Sequence, residues 1–211
     1  MAVSRTIGWV VAGVGALVLV GGGALATLYA NGAGPFKGEG AAAAPAQGEL
    51  ARFAEGPLQR LNAPAEPAPA PDYVFYDREG AETRLADFRG KVVVVNLWAM
   101  WCAPCRTEMP TLQRLAQAYA ADDQLVVLPI NVDTGETAIA DARSFIDVHE
   151  PLPMYSDPEF QLPFQFLDPG KMPQTILIDR QGRVRAALSG EADWASPEAR
   201  ALVDALLAEP A

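Results

Sequence analysis

The chain has 211 residues, half of them hydrophobic, and a net charge of −10 from 26 acidic and 16 basic side chains. This length allows one ordinary domain with additional segments. The acidic balance argues against non-specific binding of nucleic acid, which depends on lysine and arginine side chains that neutralise phosphates. Only two cysteines are present, three positions apart, so the chain is not a scaffold held together by several disulfides.

An uncharged apolar segment over residues 7–30 is the first element of the chain. At the rise of an α-helix it would span about 36 Å, enough for a hydrocarbon core of roughly 30 Å. Trp9 and Tyr29 lie near its ends, where aromatic rings favour the membrane interface, and Arg5 places residues 1–6 on the cytoplasmic side. We therefore expect a transmembrane anchor with the rest of the chain across the membrane. A cleaved signal peptide is the alternative, although its apolar region is usually only about 7–15 residues long.

Residues 31–71 form the next segment and are rich in alanine, glycine and proline. Such a composition buries too little apolar surface to fold alone, so it predicts a semi-rigid linker. Within it, residues 49–61 place apolar side chains at near-helical spacing, which allows a short helix that packs on the domain. The folded domain is expected over residues 72–211, a common size for a single domain.

From residue 73 onward, strand patterns alternate with helical ones. The predicted strands are an edge strand at 73–76, a strand buried on both faces at 91–98, and further strands at 125–131, 174–178 and 184–188. The predicted helices follow the cysteines, cover residues 137–148, and cover residues 196–207 with Ser196 as N-cap and Pro197 at the first helical position. This order predicts an α/β domain built in layers.

The segment WAMWCAPCR (98–106) carries the chemistry. Cys102 and Cys105 follow a strand and begin a helix, where unpaired N–H groups and the helix dipole stabilise a thiolate. The pKa of a thiol in such a place can fall from about 8.5 to roughly 3.5–7.5. We predict a redox-active pair in which an exposed Cys102 attacks and a more buried Cys105 resolves the mixed disulfide. Pro104 removes a backbone donor between them and is expected to tune the reduction potential.

A metal site and an inert structural disulfide are the alternatives for this pair. Zinc takes four ligands in structural sites, whereas the chain offers two thiols and one distant histidine, His149. A disulfide across two residues closes almost no loop and stabilises the fold little. No metal or cofactor is therefore expected, and His149 is assigned only a solvated or capping position.

The run NLWAMWCAPCRTEMP (96–110) resembles the thioredoxin superfamily, and in particular the membrane-anchored, TlpA-like thiol:disulfide oxidoreductases of the bacterial periplasm. Trp101 before the pair, Arg106 after it and Met172-Pro173 before a strand match positions of these proteins. Residues 190–199 (GEADWASPEA) also resemble the C-terminal region of TlpA. The resemblance covers residues 72–211 and implies a thioredoxin-like fold, a central mixed β-sheet flanked by helices, behind an N-terminal transmembrane helix.

The resemblance also implies how the site works. Pro173 would be cis and face the cysteine pair, so that the backbone of Met172 is free to pair with an extended substrate beside Trp101. Asn96 stands where thioredoxins have a titrating aspartate, which argues against a thioredoxin-type proton relay. Glu108 matches a glutamate of TlpA-like and cytochrome-maturation relatives, and is either catalytic or a complement to the helix N-terminus. Its negative charge would raise the thiol pKa and favour a reductant.

The implied function is reduction of disulfides in protein substrates of the periplasm. The protein would be a monomer in the inner membrane, without a cofactor, and a membrane dithiol donor would return it to the reduced state. Likeness to TlpA implies clients in assembly of the copper site of cytochrome oxidase, and a reductase of cytochrome c maturation is the first alternative.

Three other functions are less compatible with the motif. A copper-binding chaperone of thioredoxin-like fold would use a wider-spaced cysteine pair and a histidine. A peroxidase of the peroxiredoxin type would need a Pro-x-x-x-Thr-x-x-Cys approach, which is absent from the sequence. Enzymes that introduce disulfides usually carry histidine at the position of Pro104.

Overall fold

The computed structural model describes residues 47–210, which belong to one compact unit, Pro45–Ala211. The predicted cytoplasmic tip (1–6) and transmembrane anchor (7–30) lie outside the described residues. Within residues 47–210, no helix is both long enough and apolar enough to cross a membrane.

A mixed β-sheet with helices forms the described part of the chain. Its strands are β1 (Ala68–Pro69), β2 (Phe75–Asp77), β3 (Glu82–Thr83), β4 (Val92–Trp98), β5 (Leu125–Asn131), β6 (Tyr155–Ser156), β7 (Gln174–Ile178) and β8 (Arg183–Ser189). Its α-helices are α1 (Ala103–Ala118), α2 (Glu136–Asp147) and α3 (Pro197–Leu207). The strands lie in the order β1-β8-β7-β4-β5-β6-β2-β3. Strand β4 runs parallel to β5 and antiparallel to β7.

Strand β4 is the centre of the core, and all its residues are buried. Because successive side chains of a strand point to opposite faces, Val94 and Trp98 join the core beneath the α-helices, whereas Val93 and Leu97 join a second core on the other face. The predicted central strand, buried on both faces, is confirmed. So is the start of α3, where Ser196 Oγ accepts a hydrogen bond from Ala199 N at 3.2 Å.

The strand predicted at residues 73–76 lies two residues later, and its predicted edge position is wrong. Strand β2 is paired on both sides, with β6 and β3. The turn between β2 and β3 is held by Asp77, whose Oδ1 accepts hydrogen bonds from the backbone of Glu79 and Ala81. Strands β1, β3 and β6 have only two residues each, which is too short to produce an alternating pattern in the sequence.

Residues 47–71 pack on the domain, which differs from the predicted linker. The expected short helix is present as two 3-10 helices, Glu49–Phe53 and Gly56–Leu58, and both lie against α3. Leu50, Leu58 and Leu61 are buried in the core beneath the helices. Strand β1 pairs with β8, and Asn62 exchanges two backbone hydrogen bonds of 2.8 Å with Ala187. The folded domain therefore begins by residue 47 rather than at residue 72.

Candidate active site

Cys102 and Cys105 form a disulfide at the N-terminus of α1, at the end of the sheet where β4 finishes. Cys102 is the N-cap residue, and its Sγ accepts a hydrogen bond from Cys105 N at 3.3 Å. Pro104 lies in the first helical turn, where a missing N–H removes no helical hydrogen bond. An N–H group directed at Cys102 Sγ stabilises a thiolate at this sulfur once the disulfide is reduced. Cys102 is therefore the sulfur better suited to attack.

Both cysteines are buried, which corrects the predicted exposure of Cys102. Cys102 keeps 5% of its surface exposed and Cys105 none, whereas the neighbouring Trp101 is 62% exposed. The predicted order of accessibility holds, because Cys102 is the one cysteine with any exposed surface. A substrate can therefore reach the pair only through the small exposed surface of Cys102, next to Trp101.

The loop before the cysteines is held by Asp133, which follows β5 and is 2% exposed. Its Oδ2 accepts hydrogen bonds from Met100 N at 2.7 Å and from Asn131 Nδ2 at 2.8 Å. Val132 N also donates to Trp98 O at 2.8 Å. The sequence did not point to Asp133, because this contact joins two neighbouring strand ends that are far apart in the chain.

Glu108 lies one turn after Cys105 on α1 and is 2% exposed. Residues three apart on a helix are neighbours, so the carboxyl group is on the same buried face as Cys105. Its Oε1 accepts a hydrogen bond from Asn96 Nδ2 at 2.8 Å, and its Oε2 accepts one from Ala192 N at 3.1 Å. Burial raises the pKa of Glu108 to about 7, although both hydrogen bonds oppose this rise. The carboxyl group can therefore take up and release a proton near neutral pH.

Asn96 orients Glu108 from strand β4. Besides the bond to Glu108, Asn96 Nδ2 donates to Thr175 Oγ1 on β7 at 2.9 Å. Its Oδ1 is buried and has no hydrogen-bond partner within residues 47–210. The sequence showed only that Asn96 cannot titrate. The structure adds that Asn96 holds Glu108, the group that can titrate. Thr175 belongs to the same hydrogen-bond network.

A cavity of about 470 Å³ gives Glu108 a polar neighbourhood. Thr107 and Thr111 of α1 line it, and Gly56 and Arg60 contribute from residues 47–71. The Arg60 guanidinium donates a hydrogen bond of 2.8 Å to the backbone oxygen of Glu191, which also lines the cavity. The segment predicted as a linker thus forms one wall of the cavity that reaches the carboxyl group.

The Met172-Pro173 peptide bond is cis, as the resemblance implied. Gln174 pairs with Leu97 at the end of β4, so Pro173 lies at the same end of the sheet as the cysteines. Met172 is half-buried and packs against the core cluster that contains both cysteines. Within residues 47–210, neither its N–H nor its C=O has a hydrogen-bond partner. The backbone of Met172 can therefore pair with an added strand.

Comparison with known proteins identifies the family. The profile of the AhpC/TSA family matches residues 67–187, more than half of the chain. The chain belongs to the AhpC/TSA family. The match includes the cysteine pair, Glu108 and Met172-Pro173, and it begins within the segment that had been predicted as a linker.

Relatives of this AhpC/TSA family member are thiol-disulfide oxidoreductases. It is 36% identical to the thiol-disulfide oxidoreductase ResA of Geobacillus thermodenitrificans over 121 residues, which cover 57% of this chain and 67% of that relative. A solved DsbF homologue from Corynebacterium diphtheriae has a TM-score of 0.59 and 26% identity, covering 77% of this chain and all of that one. A thiol:disulfide interchange protein of Chlorobium tepidum has a TM-score of 0.53 and 25% identity, covering 69% and 99%.

These likenesses confirm the thioredoxin-like α/β fold and the enzyme class. The family member described here is a thiol-disulfide oxidoreductase with its cysteine pair at CxxC spacing.

His149 has a structural contact, since its Nδ1 lies 2.8 Å from Phe145 O and its ring packs on that of Phe145. Within residues 47–210, no three His, Cys, Asp or Glu side chains are grouped so that they could hold a metal ion.

Proposed function

We propose that this protein reduces disulfides of other proteins in the periplasm, anchored in the inner membrane by residues 7–30. The observation that carries the proposal is the placement of Glu108, a carboxyl group with a pKa near 7, beside the buried Cys105. A reductase must deprotonate its resolving thiol before product can leave, and a base of this pKa is well matched to that transfer near neutral pH. When ionised, the same carboxylate disfavours a nearby thiolate, which makes the reduced pair a stronger reductant.

The proposed reaction has two displacement steps. The thiolate of Cys102 attacks one sulfur of a substrate disulfide, and the other substrate sulfur leaves as a thiolate that takes a proton from water. Glu108 then accepts the proton of Cys105, whose thiolate attacks Cys102 Sγ and releases the second substrate sulfur. Two electrons pass to the substrate, and the Cys102–Cys105 disulfide forms. A membrane dithiol donor returns the pair to the reduced state.

Proton release from Glu108 needs a path to water. The cavity of about 470 Å³ supports one, because Glu108 lines it together with the hydroxyl side chains of Thr107 and Thr111. Water in the cavity would let the carboxyl group return its proton to solvent between turnovers.

The unpaired backbone of Met172 supports the mode of substrate binding. An extended substrate segment that pairs with Met172 adds a short strand at the end of the sheet, and the main-chain hydrogen bonds provide affinity without requiring one sequence. Trp101 is largely exposed next to Cys102, so its ring is available to contact the bound substrate.

We propose that the clients assemble the copper site of cytochrome oxidase, on the strength of the likeness to TlpA. Cytochrome c maturation is the alternative client pathway. Copper binding by the pair itself, as in a chaperone of related fold, is a further alternative, and loss of stoichiometric copper binding in Cys102→Ser would support it.

Trapping of mixed disulfides tests the proposal. Cys105→Ser, expressed as the full chain in its native envelope, should hold substrates on Cys102, and mass spectrometry should identify copper-site proteins among them. Cys102→Ser is the matched control and should trap few partners. Equal trapping by both variants would refute the roles of the two sulfurs, whereas enrichment of apocytochromes c would replace the proposed client pathway.

A further inference from the structure

A row of aromatic side chains continues from Trp101 away from the disulfide. The rings of Trp101 and Phe160 meet edge to face with centroids 6.2 Å apart, and those of Phe160 and Phe164 do so at 5.6 Å. Trp101 and Phe164 are among the few large apolar side chains that are exposed within residues 47–210, Phe164 by 51%. We call these three residues the aromatic row.

The row is built around an unusual backbone conformation at Phe160. Its φ is 54°, the one positive value of a non-glycine residue in the part of the chain that the structure describes. For a bulky residue the left-handed region is unfavourable and persists only where the surroundings hold it. The conformation turns the chain so that the ring of Phe160 lies between its two aromatic neighbours.

Asp157 is the residue that holds this turn. It is fully buried, and its Oδ2 accepts hydrogen bonds of 2.8 Å from the backbone N–H groups of Gln161 and Leu162. Its Oδ1 accepts a hydrogen bond from the hydroxyl of Tyr73 at 2.9 Å. Phe160 N also donates to Asp157 O at 3.1 Å. Four hydrogen bonds of Asp157 thus fix this loop, and the loop in turn positions the aromatic row.

The far end of the row is also supported from beneath. A side chain at Gly170 would place its Cβ 3.0 Å from Phe164 Cε1, so the ring lies directly on the glycine backbone. Gly170 N donates to Pro163 O at 2.8 Å, which closes the segment on itself. The ring of Phe164 is therefore held at the surface and does not fold inward.

The row begins beside the reactive sulfur. Phe160 and Met172 both pack against the core cluster that contains Cys102 and Cys105. Trp101 directly precedes Cys102, so the row starts next to that sulfur and continues from it to Phe164. Residues 160–167 include no charged side chain, although the chain as a whole is strongly acidic. An exposed aromatic surface of this kind, although flanked by Glu159 and Asp168, favours an apolar partner group.

We infer that the aromatic row is a recognition site for a bulky aliphatic or aromatic side chain that flanks the reacting cysteine of the substrate. This inference rests on the proposed reductase function and names the substrate class. The segment would pair with Met172 through its backbone and place its apolar side chain on Phe160 and Phe164. Discrimination between substrates would then come from burial of this side chain on the row. The main-chain pairing with Met172 would not depend on the substrate sequence.

A pair of disulfide-bearing peptides tests the inference. The two peptides are identical except for leucine or serine next to the reacting cysteine, and the reduced full chain in lipid nanodiscs is mixed with each. We expect the leucine peptide to be reduced about tenfold faster, which corresponds to partial burial of a leucine side chain. In Phe164→Ala the ratio of the two rates should fall towards one. Tyr73→Phe removes one hydrogen bond to Asp157. In this variant the ratio of the two rates should lie between the wild-type value and one.

Val148→Ala is the control, because Val148 is 73% exposed and lies outside the row, and it should leave both rates unchanged. Equal rates for the two peptides with the wild-type protein, or a preference that survives Phe164→Ala, would overturn the inference and leave the reductase function intact. Failure to reduce either peptide would instead count against the proposed function. A dimer in sedimentation experiments that Phe164→Ala dissociates would assign the row to a second copy of the chain and also overturn the inference.

Discussion

Asn96 Nδ2 donates a hydrogen bond of 2.8 Å to Glu108 Oε1, joining the central strand to the helix that carries the cysteines. Asn96, on the strand, cannot titrate, whereas Glu108, on the helix, can. The titrating carboxyl group therefore belongs to the same helix face as Cys105, and the strand amide sets its orientation. Asn96 stands at the position of the thioredoxin aspartate and cannot take up or release a proton. Glu108 supplies a protonatable group next to the resolving thiol of Cys105 instead.

The buried carboxyl group should make stability depend on pH. Burial raises the pKa of Glu108 from 4.5 to about 7 in the folded protein. A group with a raised folded pKa stabilises the fold below its unfolded pKa, and this contribution is lost as the pH rises through 7. The wild-type free energy of unfolding should thus fall by about 3 kcal/mol more than that of Glu108→Gln between pH 4 and pH 8. Urea denaturation of the oxidised proteins across this range measures the difference.

The exposed Glu66 provides the control for this measurement. Glu66→Gln should follow the wild-type curve at every pH. If Glu108→Gln also follows it, then Glu108 is not a buried group with a raised pKa.

The amide of Asn96 should set the pH at which the mixed disulfide is resolved. Its hydrogen bond lowers the pKa of Glu108. Removing it in Asn96→Ala should therefore move the pKa above 7 and shift the pH–rate profile of resolution upward. Thr175→Val keeps the Asn96–Glu108 bond and should shift the profile less. Stopped-flow release of a labelled peptide from Cys102 between pH 5 and 9 measures the profile, and an unchanged midpoint in Asn96→Ala would contradict the prediction.

Asp133 should act as a positioning residue for the loop before Cys102. In Asp133→Ala, the half-buried Met100 N and the buried Asn131 Nδ2 lose their acceptor, and a buried unpaired N–H group costs about 1–3 kcal/mol. The free energy of unfolding should fall by that amount, and Cys102 should react more slowly with iodoacetamide in the reduced protein. Asp133→Asn keeps one acceptor oxygen and should recover part of both effects. A stability loss without any change in Cys102 reactivity would limit Asp133 to a structural role.

The packing of residues 47–71 should be visible in the stability of the whole domain. Leu58 belongs to this segment, is fully buried, and packs in the core next to α3. Leu58→Ala should cost about 2–5 kcal/mol, as for other buried leucines. Gln59→Ala, an exposed neighbour, should change the free energy of unfolding by less than about 0.5 kcal/mol. Equal stability of the two variants in urea would show that the segment does not contribute to the core.

Local patterns in the sequence predicted the parts of the fold that depend on neighbouring residues. Ser196 and Pro197 marked the start of α3, and the β-branched run at 92–95 marked the central strand, because a helix cap and a continuous apolar run are both properties of a few consecutive residues. The short strands β1, β3 and β6 were not predicted, since two residues carry no such pattern. The leucines of residues 49–61 indicated a short helix packed on the domain, whereas the pairing of β1 and Asn62 with β8 was not predicted, because the proline-rich composition of residues 63–71 indicated a linker.

The sequence by itself determined the chemistry of the site: a CxxC pair at a helix start, followed by Glu108 at the spacing of one helical turn. Only the tertiary structure decided how that chemistry is controlled. It buried Glu108 against Asn96, tied Met100 to Asp133, and turned Phe160 onto Trp101. The pKa of a carboxyl group, the exposure of a sulfur and the shape of a binding surface depend on contacts between residues distant in the chain, and the order of residues alone does not specify those distances.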